Sequence, residues 1–383
     1  MHARPRLEES RSRGAALPAS AGPPIEHIAV SAFRIPTDTP NESDGTLVWD
    51  ATTLVVVEAS AAGVRGIGYS YADVATARLV HDTLAGVVRG MDAVANGAIW
   101  KALVAAVRNL GRAGIASMAI SAVDSAVWDL KSRLLDVPLV TLLGGVREAA
   151  PVYGSGGFTS YSLGELCAQL AGWVEQGIPR VKMKIGRDPA ADLERVAAAR
   201  SAIGDGAELF VDANGAYDRK QALAQAERFA ESGVTWFEEP VYHLDLDGLR
   251  LCRDRAPAGM EISVGEYGYE PEDFVRILDA HAVDVLQADA TRCEGITGLL
   301  LVDALCEAKQ VPLSTHCAPS LHAHAACAAK RLRHVEYFHD HVRIEHMLFD
   351  GALVPRDGAL HPDLTRPGLG LELKRADARR WAV

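Results

Sequence analysis

The feature of this 383-residue sequence that most constrains its fold is a series of eight short apolar runs after position 150. Each run ends in a polar or charged residue and is followed by a segment with helical periodicity. The runs cover residues 151–155, 181–185, 209–212, 235–239, 262–266, 284–289, 312–316 and 335–338. This alternation predicts an α/β protein built on a (β/α)₈ TIM barrel. A doubly wound open sheet is disfavoured, because no Gly-x-Gly-x-x-Gly follows the first run and eight repeats are many for such a sheet.

The chain before the barrel has a different organisation. Residues 25–33 alternate like a strand, and residues 52–58 and 64–69 predict a β-hairpin across Ala61-Ala62-Gly63. Residues 37–49 are polar and predict a loop, whereas residues 72–89, 93–109 and 115–135 have helical periodicity. We therefore predict a flexible tail over residues 1–24, an α+β domain over 25–145, the barrel over 146–345 and a C-terminal segment over 346–383 that packs back on the α+β domain.

Composition excludes several classes of function. The net charge of −11 argues against nucleic acid as a partner, because phosphate contacts require basic surface. No run of 18 or more apolar residues is present, so we expect no membrane span. The six cysteines form no Cys-x-x-Cys pair and indicate buried thiols in a reducing compartment, which predicts a cytoplasmic protein.

Three successive barrel strands are predicted to end in a carboxylate: Asp212, Glu238 and Glu266. Catalytic groups of such barrels lie at the C-terminal ends of the strands, so these acids would converge. Converging carboxylates repel each other unless a divalent cation binds them, and an all-oxygen set favours Mg²⁺ over Zn²⁺. Any one acid could instead cap the following helix, but three in consecutive strands predict a metal site.

Basic residues follow the neighbouring strands. Lys182 and Lys184 alternate along the second strand and should face the same side, where each is expected to lower the other's pKa and free one amine as a base. His316 and Asp289 end two adjacent strands, and a carboxylate that holds an imidazole is the arrangement of a second acid/base.

Several motifs, in this order, resemble the mandelate racemase subgroup of the enolase superfamily. They are AISAVDSAVWDLKSRLLDVPLVTLLGG over residues 119–145, then VKMKIG, VDANGAY, WFEEP, VGE, QADATR, STH and VEYFHDH. The resemblance covers nearly everything from Ile25 onward. It implies a modified barrel with an N-terminal α+β capping domain, one Mg²⁺ per subunit and an enolate intermediate.

The resemblance also assigns roles to individual residues. It implies Asp212, Glu238 and Glu266 as metal ligands, Lys184 and the His316–Asp289 dyad as opposing acid/bases, Lys182 and Glu336 as contacts of the substrate carboxylate, and Asn214 as part of the pocket wall. Mg²⁺, Lys182 and a protonated Glu336 are then expected to stabilise the charge of an enediolate. Residues 37–49 and 69–71 correspond to lid segments that select the substrate, and they match no single substrate class.

We therefore predict a lyase that dehydrates a small hydroxy acid, an acid sugar, to a 2-keto-3-deoxy acid, in a homo-oligomer. A racemase or epimerase of a 2-hydroxy acid would use the same residues, and a non-catalytic sugar-acid binding protein would retain the pocket. A zinc-dependent hydrolase built on His322-x-His324 or His339-x-His341 is disfavoured, because Tyr153-Gly154-Ser155 stands where the first strand would need His-x-His. We expect structural roles for both histidine pairs.

Overall fold

The computed structural model describes residues 22–383, so the predicted tail over residues 1–24 lies outside the described residues except at its end. That end pairs with the first domain. Pro24 forms a bridge with Asp92, and the backbone nitrogen of Ile25 donates to the carbonyl of Met91 at 2.8 Å. The described residues therefore begin beside the helical part of the N-terminal domain.

The N-terminal domain contains a three-stranded antiparallel sheet with the order β1–β4–β5. Its strands and a smaller ladder are β1 (His27–Pro36), β2 (Glu42–Ser43), β3 (Val48–Trp49), β4 (Ala51–Ala61) and β5 (Val64–Tyr71). The predicted hairpin is confirmed, with a turn of Ala62 and Gly63 at φ 51° and 76°, values typical of a type I′ turn. The turn is shorter than predicted because Ala61 still pairs with Val64. The predicted loop over residues 37–49 contains the β2–β3 ladder.

Helices cover one face of this sheet. They are α1 (Val74–Leu79), a π-helical turn (Val80–Leu84), α2 (Ala85–Val88), α3 (Asn96–Ala106), α4 (Ile115–Leu134) and α5 (Leu139–Leu143). Helix α4 packs directly on β5 because Gly66 and Gly68 have no side chain. A Cβ atom on Gly66 would lie 2.2 Å from the backbone nitrogen of Leu130, and one on Gly68 would lie 2.3 Å from that of Ala126. The glycines therefore set the distance between helix and sheet.

Eight parallel strands form the barrel, and the eight predicted strands are confirmed. They are β6 (Ala150–Gly156), β7 (Arg180–Lys184), β8 (Glu208–Asp212), β9 (Val234–Glu238), β10 (Glu261–Val264), β11 (Val285–Ala288), β12 (Leu313–Thr315) and β13 (Leu332–Phe338). Each strand pairs with the next, and β13 pairs with β6, with Val335 opposite Val152, which closes the sheet.

Helices connect the barrel strands, and aromatic side chains fill part of the interior. The helices are α6 (Leu163–Glu175), α7 (Asp192–Ile203), α8 (Arg219–Glu231), α9 (Leu246–Arg255), α10 (Pro271–Asp279), α11 (Gly295–Lys309), α12 (Pro319–Ala328) and α13 (His339–Leu348). Tyr153, Phe210, Trp236 and Val285 form a buried cluster. Phe210 and Trp236 precede Asp212 and Glu238 by two residues on the same strand faces, so this cluster forms the layer beneath the predicted site.

The C-terminal segment contacts both parts of the molecule. Its elements are β14 (Phe349–Asp350), β15 (Ala359–Leu360), β16 (Glu372–Leu373), α14 (Arg375–Ala378) and a 3₁₀ turn (Arg379–Trp381). Strand β15 pairs with β6 of the barrel. Arg375 forms an ion pair with Glu58 of β4, and the nitrogen of Val383 donates to the carbonyl of Ala32 at 3.1 Å. The segment therefore completes the N-terminal domain, as predicted. Among residues 22–383, no helix combines the length and apolar character needed to cross a membrane.

Candidate active site

Three buried carboxylates converge where β8, β9 and β10 end. Asp212 and Glu238 are the last residues of β8 and β9, and Glu266 follows β10 by two residues. One oxygen of each lies within 4.8 Å of the others. Gly265 permits this approach at φ 142°, because a Cβ atom there would lie 2.0 Å from the carbonyl oxygen of Gln287. We call these three acids the carboxylate triad.

Both lysines of β7 are buried against the triad. Nζ of Lys182 lies 2.6 Å from Oε1 of Glu238 and 3.4 Å from Oδ2 of Asp212, and Nζ of Lys184 lies 2.5 Å from Oδ2 of Asp212. Burial lowers the pKa of Lys184, but the charges of Asp212, Glu266 and Glu238 together raise it above the usual range. Lys182 does lower the pKa of Lys184, but the surrounding carboxylates outweigh it, so the free amine stays a prediction. Three carboxylates act on Lys184 against one neighbouring ammonium.

The donor set of the triad fits a hard divalent cation. Its ligands are all carboxylate oxygens, which Mg²⁺ prefers. Oε2 of Glu266 accepts no hydrogen bond from the described residues, although it lies 3.3 Å from Nε2 of His316. The triad and Glu336 carry four formal negative charges against the two lysines. A divalent cation would balance the remaining two.

The predicted histidine dyad is present on the other side of the triad. Asp289 and His316 directly follow β11 and β12, and Nδ1 of His316 lies 2.8 Å from Oδ2 of Asp289. Oδ1 of Asp289 accepts a second bond from the nitrogen of Thr291 at 2.7 Å. Burial lowers the pKa of His316, but the charges of Glu266 and Glu336 and the bond to Asp289 together raise it. The Nδ1 contact leaves Nε2 facing Glu266.

Glu336, in the middle of β13, is placed between the lysine and histidine sides. Its Oε1 lies 2.9 Å from Nζ of Lys182, and its Oε2 accepts a bond from the backbone nitrogen of Cys317 at 2.9 Å. Burial raises the pKa of Glu336, but Lys182 and His316 outweigh it and hold that pKa well below its usual range. Both carboxylate oxygens face donors in this arrangement, so the protonation of Glu336 stays a prediction for the protein with its substrate bound.

Some of these groups line a cavity of about 310 Å³ beneath the predicted lid segments, whereas Lys182, Asp212, Glu238 and Asp289 lie behind its wall. From the barrel, Lys184, Asn214, Glu266, His316 and Glu336 line it; from the lid and cap, Asp44, Leu47, Trp49 and Tyr71 do so. Asn214 adopts φ 44°, and its Oδ1 accepts no hydrogen bond from the described residues. The structure thus brings Asn214 and both lid segments to the predicted site.

Sequence reasoning did not single out three further side chains near the cavity. Glu239 is buried beside the triad, and burial together with the charge of Glu266 raises its pKa. Arg292 donates to the carbonyl oxygen of Glu266 at 2.9 Å, and Sγ of Cys317 lies 3.2 Å from Nε2 of His316. The doubled acid of Glu-Glu-Pro and the arginine of QADATR were the available signals, since both lie within motifs at strand ends.

The histidine pairs contact the protein backbone or the lid. Nε2 of His322 accepts a bond from the nitrogen of Ala290 at 2.8 Å, and Nδ1 of His324 accepts one from Val140 at 3.2 Å. His341 accepts from the nitrogen of Ala318 at 3.2 Å. These contacts agree with structural roles. His339 differs, because its Nε2 lies 2.8 Å from Oδ2 of Asp38 in the lid.

Comparison with protein families gives two matches that together span most of the chain. Residues 33–144 match the mandelate racemase / muconate lactonizing enzyme N-terminal domain. Residues 165–378 match the enolase C-terminal domain-like family. The two matched segments correspond to the sheet-and-helix domain and to the barrel.

Individual relatives cover nearly the whole chain. L-talarate/galactarate dehydratase of Salmonella typhimurium is 30% identical over 374 residues, 95% of this chain and 92% of the relative. The 3,6-anhydro-alpha-L-galactonate cycloisomerase of Streptomyces coelicolor is 32% identical over 94% of this chain and 99% of the relative.

Solved structures agree with these matches. A mandelate racemase/muconate lactonizing enzyme-like protein from Rubrobacter xylanophilus has 55% identity and a TM-score of 0.92, and the alignment covers 94% of this chain and 100% of that one. The Salmonella dehydratase, liganded with Mg and L-lyxarohydroxamate, has 28% identity and a TM-score of 0.87 over 98% of this chain and 97% of its own.

Proposed function

The chain belongs to the mandelate racemase / muconate lactonizing enzyme family, and from this we propose that it is a Mg²⁺-dependent lyase that dehydrates an acid sugar to a 2-keto-3-deoxy acid. The observation that carries the proposal is the placement of an acid/base candidate on each side of the carboxylate triad in one cavity. Lys184 ends β7 before the triad strands, and His316 follows β12 after them. Relatives that include a dehydratase with bound Mg support the metal and the reaction class.

The proposed ligands are Asp212, Glu238 and Glu266. When bound, Mg²⁺ supplies the positive charge that stabilises an enediolate and offsets the carboxylates that now hold Lys184 protonated. Asn214 contributes a polar side chain to the cavity wall. We assign the remaining steps, which are substrate binding and proton transfer, to side chains of the protein.

Proton transfer is assigned to the two flanking groups. One of Lys184 and His316 takes the proton alpha to the substrate carboxylate, and the other protonates the departing β-hydroxyl. Asp289 fixes the His316 ring through Nδ1, so that Nε2 is the atom that exchanges the proton. Lys182 pairs with the substrate carboxylate. A carboxylate placed beside Glu336 would favour its protonation, which would turn this residue into a donor.

A racemase or epimerase is the second candidate, and the same placement favours it. Two acid/bases on opposite sides of a planar intermediate can remove a proton from one face and return it to the other. Whether the substrate carries a β-hydroxyl then decides between elimination and inversion. The cytoplasmic location, the homo-oligomer and the domain boundaries at residues 25, 146 and 346 remain predictions.

The proposal is tested by incubating purified protein and Mg²⁺ with a panel of aldonic and aldaric acids. We expect a 2-keto acid from at least one of them, and no product after the metal is removed by a chelator. Exchange of the alpha hydrogen with D₂O without 2-keto product would identify the racemase instead. If no acid in the panel shows product or exchange with Mg²⁺ present, the proposed function is wrong.

A further inference from the structure

A second group of possible ligands joins the lid to the barrel, away from the triad. It consists of Asp38, Glu42, His339 and Asp340, which we call the lid cluster. One ligand atom of each lies within 4.8 Å of the others. Asp38 precedes β2 and Glu42 begins it, whereas His339 and Asp340 begin α13 directly after β13. Two distant parts of the chain therefore meet in this cluster.

Several side chains of the lid cluster form hydrogen bonds with each other or with neighbouring residues. Nε2 of His339 lies 2.8 Å from Oδ2 of Asp38, and Oγ1 of Thr39 donates to Oε1 of Glu42 at 3.0 Å. Oδ2 of Asp340 accepts a bond from Nε1 of Trp49 at 3.2 Å. These contacts position the three carboxylates around a common point.

The remaining oxygens lack donors although they are buried. Glu42 and Asp340 are 0% and 1% exposed, and Oε2 of Glu42 and Oδ1 of Asp340 accept no hydrogen bond within residues 22–383. A nitrogen of Arg343 lies 3.7 Å from Oδ1 of Asp340. The two buried carboxylates therefore have only this one guanidinium near them among the described residues, and a buried carboxylate without a close partner is costly.

We propose that the lid cluster binds one divalent transition-metal ion, with Zn²⁺ as the best fit, through His339 and the carboxylates of Asp38, Glu42 and Asp340. One imidazole with carboxylate oxygens is a donor set that zinc accepts, whereas the all-oxygen triad suits Mg²⁺. The side chains of Asp38 and His339 are 41% and 25% exposed, and they give the ion a path from solvent.

The bound ion would fasten the lid to the barrel. Two of its ligands lie in the loop over residues 37–49, and two lie at the start of α13. Asp340 and Trp49 also line the cavity, so the ion would hold the lid segment over the substrate. Zinc binding and substrate binding should then strengthen each other, because both favour the closed lid.

The test counts zinc ions by equilibrium dialysis and follows thermal unfolding of the full-length protein. A variant with Asp212→Asn, Glu266→Gln and Cys317→Ser removes the triad and breaks the neighbouring group of His316, Cys317 and Glu336, so that zinc at the lid cluster is counted independently of the proposed function. We expect this variant to bind one zinc ion. Adding Glu42→Gln or His339→Gln should weaken that binding at least 100-fold, and X-ray absorption should detect a nitrogen ligand.

Asp50→Asn is the matched control, because Asp50 is an exposed acid beside the lid that pairs with Arg34 at 2.8 Å. It should leave zinc binding unchanged. Glu42→Gln removes a buried charge and should fold at least as well as the parent, while losing the rise in unfolding temperature on adding zinc. If Glu42→Gln folds poorly, His339→Gln gives the same test at a partly exposed side chain. Zinc binding that both variants retain, or an unfolding temperature of the triad-free parent that zinc does not raise, would overturn the proposal.

Discussion

Two groups of buried carboxylates lie near the same end of the barrel, and their surroundings differ. In the triad, buried lysines compensate the acids directly: Lys182 contacts Glu238, and Lys184 contacts Asp212. In the lid cluster, a histidine and a more distant arginine take the place of the lysines. The charge of the acids is therefore offset by buried ammonium groups in the triad and by an imidazole and a guanidinium in the lid cluster.

The two groups also differ in the elements that carry them. Two triad acids end barrel strands and the third lies two residues beyond its strand, and the closed sheet fixes these positions. The lid cluster is divided between the loop over residues 37–49 and the start of α13, so it depends on the packing of these two segments against each other. We infer that the triad is a permanent site and that the lid cluster is a conditional one.

We expect the largest loss of turnover when either of the two acid/base residues that flank the triad is replaced. Lys184→Ala and His316→Asn should each lower turnover about 10²–10⁴-fold, the usual contribution of a positioned acid or base. Both variants should still bind Mg²⁺, because neither residue belongs to the triad. The variant that retains the proton-abstracting base should still exchange the alpha hydrogen with D₂O, which would identify that base.

Lys220→Ala and His81→Asn are suitable controls for these variants, because both residues are exposed and neither lines the cavity. They should leave turnover unchanged. Near-normal rates in both Lys184→Ala and His316→Asn would show that the two-base mechanism is wrong for this protein.

The barrel and the triad could be predicted from the sequence because both depend on the pattern of residues within each strand. An apolar run with a polar residue at its end gives the strand and the position of that residue together, as at Asp212 and Glu238. The position of Glu266 was also predictable, although the strand itself ends at Val264.

Charge states and the lid cluster could not be predicted in the same way. The pKa values of Lys184 and Glu336 depend on distances to side chains from other strands. The hydrophobic periodicity of the sequence gives no information on those distances. His339 and Asp38 are 301 positions apart, so their contact arises only from the packing of the lid on the barrel. The sequence identified His339 as part of a pair with His341, but its partners lie elsewhere.

Glu345 is a buried carboxylate outside both groups, and it sharpens the comparison between them. Neither a lysine nor a cluster of acids surrounds it. Its Oε1 accepts a bond from the hydroxyl of Tyr69 at 2.6 Å, and its Oε2 accepts one from the nitrogen of Ser320 at 3.1 Å. Burial raises the pKa of Glu345 from 4.5 to about 7. Folding therefore favours the protonated form, and this contribution is present below pH 4.5 and is lost as the pH rises to about 7.

Glu345→Gln should remove this pH dependence. Between pH 4.5 and 7 the unfolding free energy of the parent should fall relative to that of the variant by on the order of 2–3 kcal/mol. Chemical denaturation at several pH values measures this difference. Glu227→Gln, at an exposed position of α8, should give curves parallel to those of the parent. Parallel curves for Glu345→Gln as well would mean that Glu345 does not titrate on unfolding in this range.

The smallest effect is expected where the lid meets the barrel. Trp49 donates from Nε1 to Asp340 at 3.2 Å, and its ring packs edge-on against Phe158 with centroids 5.4 Å apart. Trp49→Phe retains an aromatic ring but removes a hydrogen bond worth about 1 kcal/mol, so KM should rise about fivefold while turnover changes little. Hydrogen exchange over residues 37–49 should become faster without substrate and slow down when an acid binds. Trp128→Phe is the matched control, because it also loses an indole bond, to Thr297 at 2.8 Å, but does not line the cavity. A similar rise in KM in both variants would mean that general destabilisation, and not lid closure, accounts for the effect.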